Sequence, residues 1–407
     1  MPEIDPGRLL GDLRALAKFG AYKTGVHRPT FSREDVEARH WFADRLAEAG
    51  LDAKIDGIGS VFGSSRAPGR KMLTGSHLES QNHAGWLDGP LGVVYGLEAA
   101  RALAEDPATA DLGVDVAAWC DEEGHFGSFL GSRSFVGLLS EDEIDKARNR
   151  YDGTPLREAL DKAGLSGRPR LQFEAGRHTG YVEAHIEQGD TLESGDLKIG
   201  IVTAIVAIWQ YRLTATGEQN HAGTTGMARR RDAGLALVRL LGEIDRRFPG
   251  LAGPRTVWTC GRITLEPGAP SIIPGRAEAL LQIRDADAAV LERLQVELQR
   301  LVEEANRDGR CPIAIEVMSQ STPALMDESL QDAIAAAAEA RCPGKGLRMP
   351  SGAGHDAQYL ARVMPAAMLF VPSIGGISHH WTENTADADI VLGAQVFCDA
   401  VVRMLRR

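Results

Sequence analysis

Five short segments of this chain carry residues able to bind a metal or move a proton. Gly75-Ser76-His77-Leu78-Glu79 supplies a histidine, and Asp88 follows eleven residues after it in the run Leu87-Asp88-Gly89-Pro90. An imidazole and a carboxylate could ligate one metal, although a buried, hydrogen-bonded histidine and a turn-forming Asp-Gly account for the same residues. Cys120-Asp121-Glu122-Glu123-Gly124 sets three carboxylates in succession after an apolar run. Like charges so close raise one another's pKa unless something relieves them, and either a bound cation or a solvated acidic turn would do so. In Glu183-Ala184-His185-Ile186-Glu187-Gln188-Gly189 polar and apolar residues alternate, which puts Glu183, His185 and Glu187 on one face of a strand. Asn220-His221-Ala222-Gly223-Thr224-Thr225 follows a predicted strand, where a capped loop is its plain role. Ser378-His379-His380-Trp381-Thr382-Glu383 places two histidines after a Gly375-Gly376 turn, a position that surface residues also occupy.

Regular elements must hold these segments in place. Leu9, Leu10, Leu13 and Leu16 have helical spacing, and Ser32 with Asp35 forms a capping signal ahead of a second helix carrying Val36, Trp41, Phe42 and Leu46, ended by Gly50. Short apolar runs at 71–74 and 114–119 lead directly into polar residues, as strands do when their C-terminal ends carry a site. Helices and strands alternate up to about residue 207. From there the order becomes strand (211–216), helix (232–248), strand (256–265), strand (277–283), helix (288–305) and strand (313–318). This βαββαβ order predicts a ferredoxin-like unit inserted into a larger α/β domain. The expected organisation is therefore a first catalytic part over 1–207, an inserted unit over 208–322, and a second catalytic part over 323–407. The alanine-rich stretch 333–338 suits a helix interior.

The composition narrows the classes of function. With 407 residues, 43% hydrophobic and 25% charged, the chain is long enough for two or three globular domains. A net charge of −11 leaves no basic stripe to neutralise phosphates, which argues against a nucleic-acid partner and for a small molecule. Five cysteines without CxxC spacing argue against a disulfide framework and a thiolate zinc site, so any metal must use histidine and carboxylate. No phosphate-binding glycine loop follows a predicted strand. There is no run of about 18 apolar residues, and Glu3, Asp5, Arg8, Asp12 and Arg14 interrupt the N-terminal leucines, so a cytoplasmic protein is expected, with no membrane partner.

Taken together, the order His77, Asp88, Glu122-Glu123, His185 and His379 resembles the M20 family of metal-dependent peptidases and amidases. GSHLES, LDGPLGV, DEEG, HIEQG, HAGTTGM, PSGAGHDA and GISHH are similar to the branch that contains N-carbamoyl-L-amino acid, allantoate and ureidoglycolate amidohydrolases. The resemblance implies a zinc-peptidase-like catalytic domain with a mixed central sheet and a lid that also dimerises. It implies two divalent metals per subunit, one held by His77, Asp88 and His185 and the other by Asp88, Glu123 and His379. Zinc or manganese suits such ligands, and cobalt or nickel is also compatible. By the same resemblance Glu122 is the general base and His221 reaches the partner's active site in a homodimer to stabilise the oxyanion. Gln188, Arg284, Gly354 and Ser271 would contact the substrate, with Arg284 clamping a carboxylate through two parallel hydrogen bonds. A structural arginine beside Asp285 is the alternative for that residue.

Three positions depart from the pattern. Glu79 stands where an aspartate usually orients the first histidine ligand, Ser271 where an asparagine is usual, and Gly226 where a proline is usual. The implied activity is hydrolysis of a C–N bond in a small N-carbamoyl or ureido compound. Hydrolysis of an N-acyl amino acid or a dipeptide is the alternative within the family, and a non-catalytic binding protein the alternative outside it.

Overall fold

The computed structural model describes residues 1–407 apart from the side chain of Asp308. The chain divides into two compact units, one made of Met1–Thr203 with Leu325–Arg407 and the other of Ala204–Ala324.

The first unit is built on a nine-stranded mixed sheet. At its centre Gly113–Trp119, Lys71–His77, His178–Ile186 and Ala366–Val371 lie side by side and parallel. Antiparallel strands flank them, Val61–Ser64 and Asp52–Ile55 on one side and Ile199–Ile205 on the other. Every residue of Gly113–Trp119 and of Ala366–Val371 is buried, as expected of strands covered on both faces. The covering helix Pro90–Glu105 starts with proline at its first turn and is buried nearly all round. It lies so close to the sheet that a Cβ on Gly92 would stand 2.3 Å from the Ala184 carbonyl. Because the four central strands are parallel, their C-terminal ends share one edge, and a site outside that edge is the usual outcome. The capped helix is present as Arg33–Glu48, with the Ser32 hydroxyl accepting the Asp35 N–H, and the alanine-rich stretch lies in Glu328–Arg341.

The second unit has one four-stranded antiparallel sheet, in the order Val257–Glu266, Arg276–Asp285, Ala207–Thr216, Ile313–Gln320. Helices Ala233–Arg247 and Ala288–Asp308 supply Leu237, Leu240, Leu294 and Leu298 to its core, against Tyr211, Leu213 and Leu281. Burial alternates along Arg276–Asp285, so one sheet face is covered by the helices. Asp232 and Asp287 cap the two helices through the N–H groups of Leu235 and Ala289. No helix among the described residues is long and apolar enough to cross a membrane.

Candidate metal centre and active site

Strand ends and the turns that follow them bring five of the singled-out side chains together. His77 closes Lys71–His77, Glu122 and Glu123 follow Gly113–Trp119, His185 lies on His178–Ile186, and His379 lies in the loop after Ala366–Val371. Asp88 stands just ahead of helix Pro90–Glu105. Gly89 beside it has φ +85°, and a Cβ there would fall 2.5 Å from the His77 ring, so Asp-Gly is required by both conformation and space. Asp88 Oδ1 lies 3.0 Å from His185 Nε2 and 3.6 Å from His77 Nε2, while Oδ2 lies 3.3 Å from His379 Nε2. His379 Nε2 is 3.7 Å from Glu123 Oε2, and His77 Nε2 is 3.8 Å from Glu122 Oε2.

The chemistry of this donor set fits a metal. His77 Nδ1 bonds to the Glu79 carbonyl at 3.0 Å and His185 Nδ1 to the Ile186 carbonyl at 2.8 Å. Each ring must spend its Nδ1 proton there, so in its neutral form Nε2 turns a lone pair toward a carboxylate oxygen. Two electron-rich groups facing each other in a buried site require a cation between them, either a proton or a metal. His77, Asp88 and His185 form one group able to hold an ion, Asp88, Glu123 and His379 another, and His77, Glu122 and Glu123 a third.

The titration of these groups follows from the same crowding. Burial opposes charge on His77, but Glu122, Asp88 and Glu79 together hold its pKa well above the usual value. His379, bonded to Asp88, is pushed up to about 9. Asp88 is held well below the usual carboxylate range, its burial outweighed by His185, His379 and His77. Glu122 is raised well above that range by burial first, with His77 opposing and Glu123, Asp356 and Asp88 adding to the rise. It lies beside the residues able to hold an ion, and a cation bound there would oppose that rise.

Several expectations need correction. The Glu79 carboxylate does not orient His77, because its Oε1 lies 4.0 Å from Nδ1 and the backbone carbonyl takes that role. The extra methylene instead carries the carboxylate to two other partners, Arg39 Nη2 and the Glu122 N–H, each at 2.7 Å. Asp121 leaves the acidic run altogether. With φ +58° it turns inward and accepts the N–H groups of His125, Phe126 and Gly127 and the Thr30 hydroxyl. Strand His178–Ile186 ends before Glu187, whose carboxylate caps a short helix through the Thr191 and Leu192 N–H groups. Glu183 does share the His185 face but bonds to the Ser76 hydroxyl, the Tyr181 hydroxyl and the Ala357 N–H.

The remaining candidates fall in both units. Gln188 donates to Asp88 Oδ2 and Ser378 Oγ, each at 3.1 Å. Gly354 lies in a loop fastened by the 2.8 Å bond between Ser351 and His355, and a Cβ there would meet the Phe129 ring at 3.0 Å. His221, Ser271 and Arg284 belong to the second unit. Asn220–His221 pairs with Ile272–Ile273, and the Ser271 carbonyl accepts the Ala222 N–H, so His221 and Ser271 share one ribbon. Arg284 is half-buried, which lowers its pKa, and its Nε donates to Gln282 Oε1 at 2.7 Å. Asp285 points to the other face of that strand and bonds to Thr256 Oγ1 and the Asp287 N–H. One residue that the sequence analysis gives no role is Glu383. It is buried, accepts the Leu87 and Asp88 N–H groups and the Ser378 hydroxyl, and is pushed up to about 8 by burial and the adjacent Asp88. Its only signal in the sequence is its place at the end of the His379-His380-Trp381-Thr382 run.

Known proteins resemble this chain along nearly its whole length. The chain is 33% identical over 401 residues to an allantoate amidohydrolase of Bacillus subtilis (strain 168), covering 96% of this chain and 95% of the relative. It is also 33% identical over 410 residues to an N-carbamoyl-L-amino acid amidohydrolase of Geobacillus stearothermophilus, covering 98% of each. Among solved structures, an amidase of the hydantoinase/carbamoylase family from Burkholderia phymatum superposes with a TM-score of 0.93 at 49% identity, covering 100% of this chain and 99% of that one. Residues 70–403 match the profile of peptidase family M20/M25/M40, and the chain is a member of that family.

Proposed function

We propose that this protein is a metal-dependent amidohydrolase that cleaves the non-peptide C–N bond of a small N-carbamoyl or ureido compound, of the N-carbamoyl-L-amino acid or allantoate type. The observation that carries this reading is Asp88, whose two oxygens face different histidines, His77 and His185 on one side and His379 on the other, with Glu123 and Glu122 alongside. The names of the relatives at 33% identity supply the substrate class.

On this reading His77, Asp88 and His185 hold one divalent ion and Asp88, Glu123 and His379 a second, zinc or manganese by ligand type. Such ions polarise a carbonyl and acidify water. Glu122, whose Oε2 lies 3.8 Å from His77 Nε2, takes the proton of the attacking water and passes it to the departing nitrogen. Glu79 fixes the Glu122 main chain, while Gln188 and Glu383 hold Asp88 and its turn. Arg284 and Ser271 bind a substrate carboxylate, and Gly354 offers its backbone. The βαββαβ unit acts as a ferredoxin-like lid and dimerisation domain, and His221 serves the active site of the partner subunit in a homodimer.

The test is ammonia release by purified, manganese-loaded protein from N-carbamoyl-L-amino acids, allantoate, ureidoglycolate and N-acyl amino acids. Glu122→Gln should lower kcat by about 10²- to 10⁴-fold while metal content stays that of the wild type. Release of an acyl group without ammonia would replace this reading with an N-acyl amidohydrolase.

A further inference from the structure

His221 opens a solvent-exposed loop. Its ring and the Gly223, Thr224 and Gly226 positions are exposed, and no residue from 221 to 229 is buried. Gly226 adopts φ −60° and ψ 145°, a conformation open to any residue, but it lacks the ring that would fix φ. Yet the imidazole is in a defined state. Its Nδ1 accepts the N–H groups of Gly223 at 3.0 Å and Thr224 at 3.2 Å, so in the neutral ring the proton resides on Nε2, aimed away from the loop. Those two bonds exist only while the turn keeps its shape.

The shape is fastened by Arg230. Its Nε donates to the Thr225 carbonyl at 2.9 Å and its Nη2 to the Ala222 carbonyl, so one planar guanidinium spans both ends of the Ala222–Thr225 turn. Among the described residues no carboxylate pairs with Arg230, so its hydrogen-bonding capacity goes to this loop. The chain on either side of this arginine is tied to Arg310, because the Arg231 Nε donates to the Arg310 carbonyl and Arg310 Nη1 donates to the Ala228 carbonyl. We infer that Arg230 is a positioning residue that clamps the Ala222–Thr225 turn and thereby fixes the His221 ring with Nε2 as its outward donor. This inference rests on the proposed role of His221. It also accounts for Gly226, since a loop cross-linked by a guanidinium fork has less need of a proline.

The experiment uses full-length, metal-loaded enzyme and the best substrate of the panel above. Arg230→Met and Arg230→Lys are each made alone and in a His221→Ala background. In the wild-type background Arg230→Met should lower kcat by about 10- to 100-fold, the scale of a misplaced group, with KM changed by less than about 3-fold. Arg230→Lys, whose ammonium lacks the fixed planar fork that meets both carbonyls at once, should recover little. Neither should lower kcat further once His221 is gone. Independently of turnover, the ring ¹⁵N signals of His221, assigned through His221→Asn, should report a single Nε2-protonated tautomer in the wild type and an average of two in Arg230→Met. An equal loss of kcat in the His221→Ala background, or an unchanged tautomer, would overturn the inference while leaving His221 in its role. Full activity of His221→Ala itself would remove the role of His221, and the inference with it.

Discussion

Glu79 offers a quantitative check on the site, because one carboxylate serves two purposes that a substitution can separate. Its Oε2 pairs with Arg39, and its Oε1 accepts the Glu122 N–H, all in a region from which water is excluded. Arg39 also bonds to Asp35 at 2.9 Å and to the Gly59 carbonyl at 2.7 Å, and the fully buried Arg28 feels both Asp35 and Glu79. The cluster thus holds two arginines and two carboxylates, with no net charge. Glu79→Gln keeps the shape and the acceptor for Glu122 but turns an NH₂ group toward Arg39 and leaves one positive charge uncompensated. Breaking a buried pair in this way costs about 3–5 kcal/mol. The first unit has about 290 residues, and at roughly 2.1 cal/mol/K of unfolding entropy per residue its Tm should fall by about 5–8 °C. Turnover should stay within a few-fold of wild type. Glu79→Ala, by contrast, also leaves the Glu122 N–H without an acceptor, at about 1–3 kcal/mol, and should lower kcat by roughly 100-fold as Glu122 drifts. Calorimetry at pH 7.5 and ammonia release on the two variants decide the matter. A Tm within 1 °C of wild type for Glu79→Gln would refute the charge argument, and equal losses of kcat in both variants would refute the positioning argument.

Two further outcomes follow from burial and from binding. Asp56 is buried, which raises its carboxyl to about 6 despite the N–H groups of Ile58, Ser60 and Leu171. A raised carboxyl stabilises the fold fully below the unfolded pKa of about 4 and loses that contribution as pH rises through 6, so the stability of wild type relative to Asp56→Asn should fall by about 3 kcal/mol over that window. Urea midpoints at pH 4 and 7 measure it, and a flat difference would mean that the three N–H donors keep Asp56 ionised. Removing metal with a chelator should abolish hydrolysis and lower stability by about 2.7 kcal/mol for each ion lost, relative to protein held at 100 times the metal Kd. An unchanged Tm after complete metal removal would count against tight binding at the Asp88 cluster.

Much of the fold could be read from the sequence because its signals are local. Burial alternates with a period of two along Arg276–Asp285, and Ser32, Asp232 and Asp287 cap the helices that follow them. Two histidines were legible as well, His77 at the end of an apolar run and His185 at a polar position of an alternating strand. What escaped was the direction of individual side chains. Glu79 and Asp121 share type and position with metal-site carboxylates, but whether a carboxylate faces the cluster depends on partners 40 and 91 residues away, Arg39 for one and Thr30 for the other. Glu383 lay beyond reach for the same reason, since its bonds to the Asp88 turn cross almost 300 residues of sequence.

The strand Ala366–Val371 lies between His178–Ile186 and Ile199–Ile205, although the chain makes it last among those three. During synthesis at about 5–20 residues per second, roughly 10 to 30 s separate the emergence of the outer pair from that of the strand that joins them. The contiguous segment 204–324 can finish folding on the ribosome in that interval, whereas the sheet of the first unit stays open along the edge of His178–Ile186. His379 emerges later still. In a nascent chain the proposed donor set is therefore incomplete until His379 has followed that strand.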